Sequence, residues 1–247
     1  MILPTMTWKE MHDGLVQDAK KVQIRIDKVC PKVVKLFKKT KSFPTWYIDD
    51  YKIPATNNQY FIFYYAGNTN EIEKPRYSSF TFVFSGKQRF VISGMKMGYQ
   101  HTPKCETVML PQIHAYTSHF FQRYNERFLH KEDLTPNEIA GLFFVRNPFP
   151  IPITLNEDVN KNYKVHSEFN QIGIRVKDGF CFTQSALEGK ESEDGIPEHD
   201  RVDAMLVLYT TFMNEADMSE TQKVAIDKEH LETWKRCMEV LQKGVKL

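Results

Sequence analysis

Three short runs follow one another between residues 59 and 94: QYFIFYYAG, SSFTFVFSG and QRFVISG. Each is rich in aromatic and β-branched residues, which fit a pleated and half-buried surface, and turn-forming residues separate them. The pattern predicts three antiparallel strands, with SGKQ (85–88) as a tight hairpin. At period-two spacing their Tyr and Phe side chains read as core, and only secondarily as platforms for stacked bases.

The flanking segments carry helix signals. Thr7 with Glu10 forms a capping box, since each side chain satisfies a free backbone N–H at a helix start. Val22, Ile26, Val29, Val33 and Leu36 then recur at helical spacing as an apolar stripe, so the lysines between them fall on the wet side. Pro31 lacks a backbone donor and is expected to kink or divide this helix. Further along, Thr117 or Ser118 caps a helix beginning near residue 118, and Thr135, Pro136 and Glu138 open another in LTPNEIAGLFFVRN, ended by Asn147 and Pro148. Ser219 and Gln222 start a last helix, expected to run to about Lys243 with Gly244 as its stop.

Between these helices the reading gives further strands. Gly94, Gly98 and Pro103 read as loop punctuation, and TVMLPQIHAY as a strand that Pro111 pushes toward an edge or a bulge. PFPIPI reads as an irregular connector. IGIRVKDG and FCFTQSALE form a hairpin turning at Asp178-Gly179, residues 188–201 an exposed loop, and DAMLVLYTTF a central strand because it is almost continuously apolar. The expected class is α+β: an extended antiparallel sheet packed with N-terminal, central and C-terminal helices. One domain over 1–247 is favoured; the subdivision to consider is 1–105, an N-terminal helix plus meander, and 106–247, a helix-plus-sheet unit.

Composition narrows the class. With 41% apolar and 13% aromatic residues, 247 residues suffice for a packed core. No apolar run is long enough to span a bilayer, and the start, MILPTMTWKEMHDG, lacks a secretory pattern, so a soluble, cytoplasmic protein is expected. Cys30, Cys105, Cys181 and Cys237 are far apart with no CxxC pair, which argues for reduced thiols rather than a thiolate metal site. GxxxxGK[ST], GxGxxG, GxSxG and HExxH are missing, and His101, His114 and His119 have poor spacing for zinc. No metal and no cofactor is expected.

Net charge is only +2, but residues 20–41 hold Lys20, Lys21, Arg25, Lys28, Lys32, Lys35, Lys38, Lys39 and Lys41 against Asp27 alone. Such a stretch is either a solvated helix face or an attractor for a polyanion. The segment HAYTSHFFQRYNERFLH (114–130) raises the sharper question. At about 100° per residue, Arg123, Arg127 and His130 fall about 40°, 80° and 20° round the helix from His119, while Phe120, Phe121, Tyr124 and Phe128 lie elsewhere. Two readings stay open. One is a solvated face with local ion pairs, Glu126 supplying compensation. In the other, His119 in the first turn moves a proton while the arginines hold a scissile phosphate and stabilise developing charge.

A helix reading SHFFQRYNERF followed by antiparallel strands ending in YTTFMNE (209–215) resembles the barnase, colicin and RelE-type endoribonuclease superfamily over about residues 110–217. The resemblance implies metal-independent RNA cleavage through attack by the 2′-hydroxyl, in a toxin, phage or mobile-element setting. It assigns His119, Arg123 and Arg127 on the helix, Arg175 in the IGIRV strand, and Thr210 or Thr211 near the end of the last strand. It supplies no general base; His166 is the loose candidate, and the N-terminal half has no counterpart in the small toxins. The partners expected are RNA or another polyanion and a cognate protein inhibitor, with no membrane. The alternative is a non-catalytic nucleic-acid- or protein-binding accessory module, using Lys28, Lys32, Lys35 and Lys39 as well. A third reading gives the arginines purely structural ion pairs.

Overall fold

Strand follows strand in a computed structural model that describes residues 1–99, 108–154, 170–189 and 202–242. Helix α1 (Trp8–Phe37) leads into β1 (Thr45–Lys52), β2 (Gln59–Ala66), β3 (Arg76–Ser85), β4 (Gln88–Tyr99) and β5 (Val108–Thr117). Then come α2 (Ser118–Tyr124), a π-helical turn (Asn125–Leu129), α3 (Pro136–Arg146), β6 (Ile151–Thr154), β7 (Asn170–Val176), β8 (Gly179–Gly189), β9 (Val202–Asn214) and α4 (Glu220–Gln242). These are the elements of an α+β chain. The strands make one nine-stranded sheet in the order β1-β2-β3-β4-β5-β9-β8-β7-β6, antiparallel throughout except where β5 and β9 run parallel.

The aromatic run of β2 is continuous, not alternating, because both of its faces are buried. Tyr60, Ile62 and Tyr64 lie against Val22, Ile26, Val29 and Val33 of α1, while Phe63 and Tyr65 on the other face meet Leu142 and Val145 of α3. A Cβ at Gly141 would run into the Phe63 ring, so glycine lets α3 seat directly on β2. Asp18, fully buried on α1, is satisfied by Thr56 Oγ1 (3.0 Å), Asn58 Nδ2 (2.6 Å) and the Tyr60 hydroxyl (3.2 Å), which ties the helix to the sheet. On the α2 side, Phe120, Phe121, Tyr124 and Phe143 pack with Tyr116, Tyr209 and Phe212, and the Tyr116 and Tyr209 rings stack across the parallel pair at 4.0 Å. Met218 and Ile226 pack with Ile153, Phe180 and Phe182.

Local signals read from the sequence have direct counterparts. Both capping boxes, Thr7/Glu10 and Thr135/Glu138, are formed, and Thr117 caps α2. The SGKQ hairpin closes with Ser85 opposite Gln88 and Gly86 at φ 60°, a conformation glycine adopts without strain.

Other expectations need correction. Pro31 does not divide α1, which continues from Trp8 to Phe37 because its apolar stripe stays docked on the sheet along both halves. Gly94 and Gly98 lie inside β4, paired with Ile113 and Met109, not in a loop. Pro111 is in a strand with neighbours on both sides; pairing with β9 begins at Gln112, so the missing N–H falls just outside that ladder. PFPIPI contributes β6, an edge strand where Pro152 is tolerated because only one side needs donors. The β7–β8 turn consists of Lys177-Asp178, with Gly179 already opposite Val176. Strand β1 carries no clean alternation and so gives no strand signal in the sequence. The loop expected at 188–201 starts later, since Glu188 and Gly189 still pair with β9 as the end of β8; its remainder at 190–201, with Pro103, His101, His166 and the stop at Lys243–Gly244, lies outside the described residues.

Candidate functional site

The α2 segment distributes its cations differently from a uniform helical wheel. His119 is exposed, and Arg123 Nε lies 3.4 Å from its Nε2, while Arg123 Nη1 pairs with Glu126 at 2.8 Å. Gln122 Nε2 donates to the other Glu126 oxygen at 2.7 Å, and these hydrogen bonds, Gln122 before Arg123, hold that carboxyl below its usual range. After Tyr124 the helix widens into the π turn, closed by the His130 N–H on the Asn125 carbonyl at 2.8 Å, five residues back. The extra residue swings Arg127 toward the end of β9, where its Nη1 donates to the Phe212 carbonyl at 2.6 Å and Asn214 Nδ2 donates to the Arg127 carbonyl at 2.8 Å.

Arg175 is held 3.0 Å from Glu215. Thr211 is half-buried opposite Phe182, and Thr210 donates to the Phe182 carbonyl at 3.0 Å. Arg127 and Arg175 therefore meet the same end of β9, each engaged with a protein acceptor, while His119 and Arg123 form a separate exposed cluster with Glu126. Among the described residues no contact joins the two groups around a shared cavity. His130 is an exposed left-handed C-cap at φ 51°.

A buried histidine lies close by. His114, on β5, has no exposed surface; its Nε2 meets Gln112 Oε1 at 3.1 Å and its Nδ1 the Tyr209 hydroxyl at 2.9 Å. With the amide oxygen accepting from Nε2–H, Nδ1 accepts from the phenol, and the ring is neutral. Burial pushes its pKa down to about 3. Among the described residues no cluster of three or more His, Cys, Asp or Glu is placed to hold a metal ion.

The lysines of α1 form a second candidate site. Val22, Ile26, Val29, Val33 and Phe37 face the sheet, and Lys28, Lys32, Lys35 and Lys39 are exposed. Around the axis Lys21, Lys28, Lys32 and Lys35 fall within about 60° of one another, and they span about 21 Å of helix. Two other cations of this region are paired: Arg25 grips Asp49 through Nε (2.7 Å) and Nη2 (2.8 Å), and Lys38 meets Glu73 at 2.6 Å. Lys32 rests over the Tyr47 ring, 5.3 Å from its centroid. Asp27, the one acid in this stretch, takes a hydrogen bond from Gln23 at 2.9 Å. Among the described residues no carboxylate pairs with Lys21, Lys28, Lys32, Lys35 or Lys39.

A third cationic surface was not read from the sequence. Lys74 just before β3, Arg76 at its start, Arg146 at the end of α3, exposed Phe149, and Lys177 in the β7–β8 turn border a groove of about 460 Å³. Their segments, EKPRY, VRNPFP and VKDG, are far apart in the chain and locally look like ordinary turns, so only the tertiary fold joins them. No helix among the described residues is long and apolar enough to cross a membrane. Compared with protein-family models, curated proteins and solved structures, the chain has no match among them.

Proposed function

We propose that the protein binds nucleic acid through its phosphates, without reading sequence, and that the lysine ridge of α1 is the contact surface. The observation that carries this reading is selective pairing. On one helix, Arg25 is matched bidentately to a buried carboxylate, whereas Lys21, Lys28, Lys32 and Lys35 share one face with no carboxylate among the described residues. Like charges three and four residues apart repel, so such a ridge is favoured when an external anion lies along it. Lysines are point charges without the planar fork that reads base edges, which suits backbone contacts.

The experiment is fluorescence anisotropy of labelled RNA and DNA oligonucleotides with the full chain, between about 50 and about 200 mM salt. Steeply salt-dependent binding that differs little between sequences is the expected outcome; weak binding with a flat salt response would remove the reading. The same samples, incubated in EDTA and run on a denaturing gel, test the metal-independent cleavage that the endoribonuclease resemblance implies. RNA cutting abolished by His119→Ala with binding intact would make the ridge the substrate-holding part of an enzyme.

A further inference from the structure

Arg89, near the start of β4, is a guanidinium without an acid. Its Nη2 donates to Asn137 Oδ1 and its plane rests over the Phe82 ring, 4.4 Å from the centroid. Its Nε is shut away from solvent with no hydrogen-bond partner. Burial lowers its pKa and no neighbouring charge offsets that effect. Other partly buried arginines are better matched: Arg25 has Asp49, Arg146 has Asp178 and Arg175 has Glu215, while Arg127, which also lacks an acid, is held by the Phe212 carbonyl. A cation removed from water without a counter-charge is costly, and an orphaned donor adds to that cost.

Beside Arg89 a cleft of about 240 Å³ opens between β4, α2 and α3. Its walls are apolar, from Val91, Phe121, Pro136 and Ile139, and Ser118 brings a hydroxyl whose proton goes to the Arg89 carbonyl at 3.4 Å. The amides at the rim are occupied, Gln122 by Glu126 and Asn125 by the Lys131 carbonyl at 2.7 Å. The cleft thus offers one cation beside apolar walls, with a hydroxyl and two engaged amides as its other polar groups. It lies on the α2 and α3 side of the sheet, away from the lysine ridge.

We propose that this cleft binds a small organic carboxylate with a compact apolar body, its head taken by Arg89 and its body seated against Val91, Phe121, Pro136 and Ile139. A planar carboxylate matches a guanidinium edge and supplies the counter-charge that Arg89 lacks. Inorganic phosphate fits less well, because no second cation lines the cleft and the apolar walls would go unused. The volume lies below the roughly 300–1,000 Å³ of drug-sized sites, so the body is a single ring or a short branched chain.

The test uses the full chain with labelled Val and Ile methyls, titrated with benzoate, with benzyl alcohol as the uncharged counterpart, and with inorganic phosphate. Benzoate is expected to shift the Val91 and Ile139 methyls saturably and the other two are not. Arg89→Gln is expected to weaken benzoate binding roughly thirtyfold or more, as loss of one partner of a desolvated charge pair does. No saturable shift with benzoate, equal response to benzyl alcohol, tight binding of phosphate alone, or undiminished binding in Arg89→Gln would each overturn the assignment. If Arg89→Gln does not fold, the contrast between benzoate and benzyl alcohol on the unaltered protein decides it.

Discussion

Arg146 grips Asp178 through two parallel hydrogen bonds, Nε to Oδ2 at 2.8 Å and Nη2 to Oδ1 at 2.9 Å, and so fastens the end of α3 to the β7–β8 turn. The Tyr124 hydroxyl (2.6 Å) and Asn147 Nδ2 (3.1 Å) donate to the same buried carboxylate, and the Phe128 ring stacks on both Tyr124 and Arg146. Donors from α2 and from the end of α3 therefore converge on one acid in the β7–β8 turn. Asp178→Ala leaves Arg146 and the Tyr124 hydroxyl without their acceptor and is expected to cost about 3–5 kcal/mol in urea denaturation. A loss below about 1 kcal/mol would mean that the network is not holding these segments.

His114 predicts how stability depends on pH. Its pKa falls from 6.5 to about 3 on folding, so the unfolded chain binds the proton more readily. Its contribution is present in full above about pH 6.5 and is lost as pH falls toward 3. At pH 5 the loss is about 2 kcal/mol, at about 1.4 kcal/mol per pKa unit. Urea denaturation of the wild type and His114→Gln at pH 8 and pH 5 isolates this share: the variant should lose less on acidification, and equal losses would show that the imidazole does not titrate in this way.

Arg123 and Arg127, four residues apart, should respond differently to truncation. Arg127→Ala removes the donor from the Phe212 carbonyl and is expected to cost about 1–2 kcal/mol. Arg123→Ala breaks a surface pair with Glu126 and should leave the melting temperature nearly unchanged. Thermal unfolding of the two variants side by side checks this; equal effects would contradict the rotation at the π turn.

That turn also explains where sequence reading stopped. Periodicity of 100° per residue set His119, Arg123 and Arg127 on one face, and nothing local announces that the helix widens at Asn125. Features fixed by neighbours in the chain were readable: the caps at Thr7, Thr117 and Thr135, the Gly86 turn, and the aromatic density of β2. Strand β1 was not, because TWYIDDYK places Asp49 in a buried position that only Arg25, on α1, makes acceptable. Pro152 of β6 looks like a loop residue until the strand is known to lie at an edge. The Arg89 cleft draws its walls from β4, α2 and α3, so no window of sequence contains it.

The lysine ridge gives the last prediction, through the salt dependence of binding. Each phosphate contact made by a cation contributes about 0.7 to the slope of log K against log salt for a single strand. Replacing Lys28, Lys32 and Lys35 of the ridge, with Lys39 just past the end of α1, together by Gln should therefore lower the slope by up to about 3. The substituted positions are exposed and the apolar stripe on the opposite side of α1 is untouched, so the melting temperature should hold. Arg25→Gln is the counterpart: it strips Asp49 of its partner, so it should lower the melting temperature while leaving the slope nearly as it was. Were Arg25→Gln to flatten the slope and the quadruple variant to leave it intact, the contact would lie on the sheet side of the helix and the ridge would be an ordinary wet face.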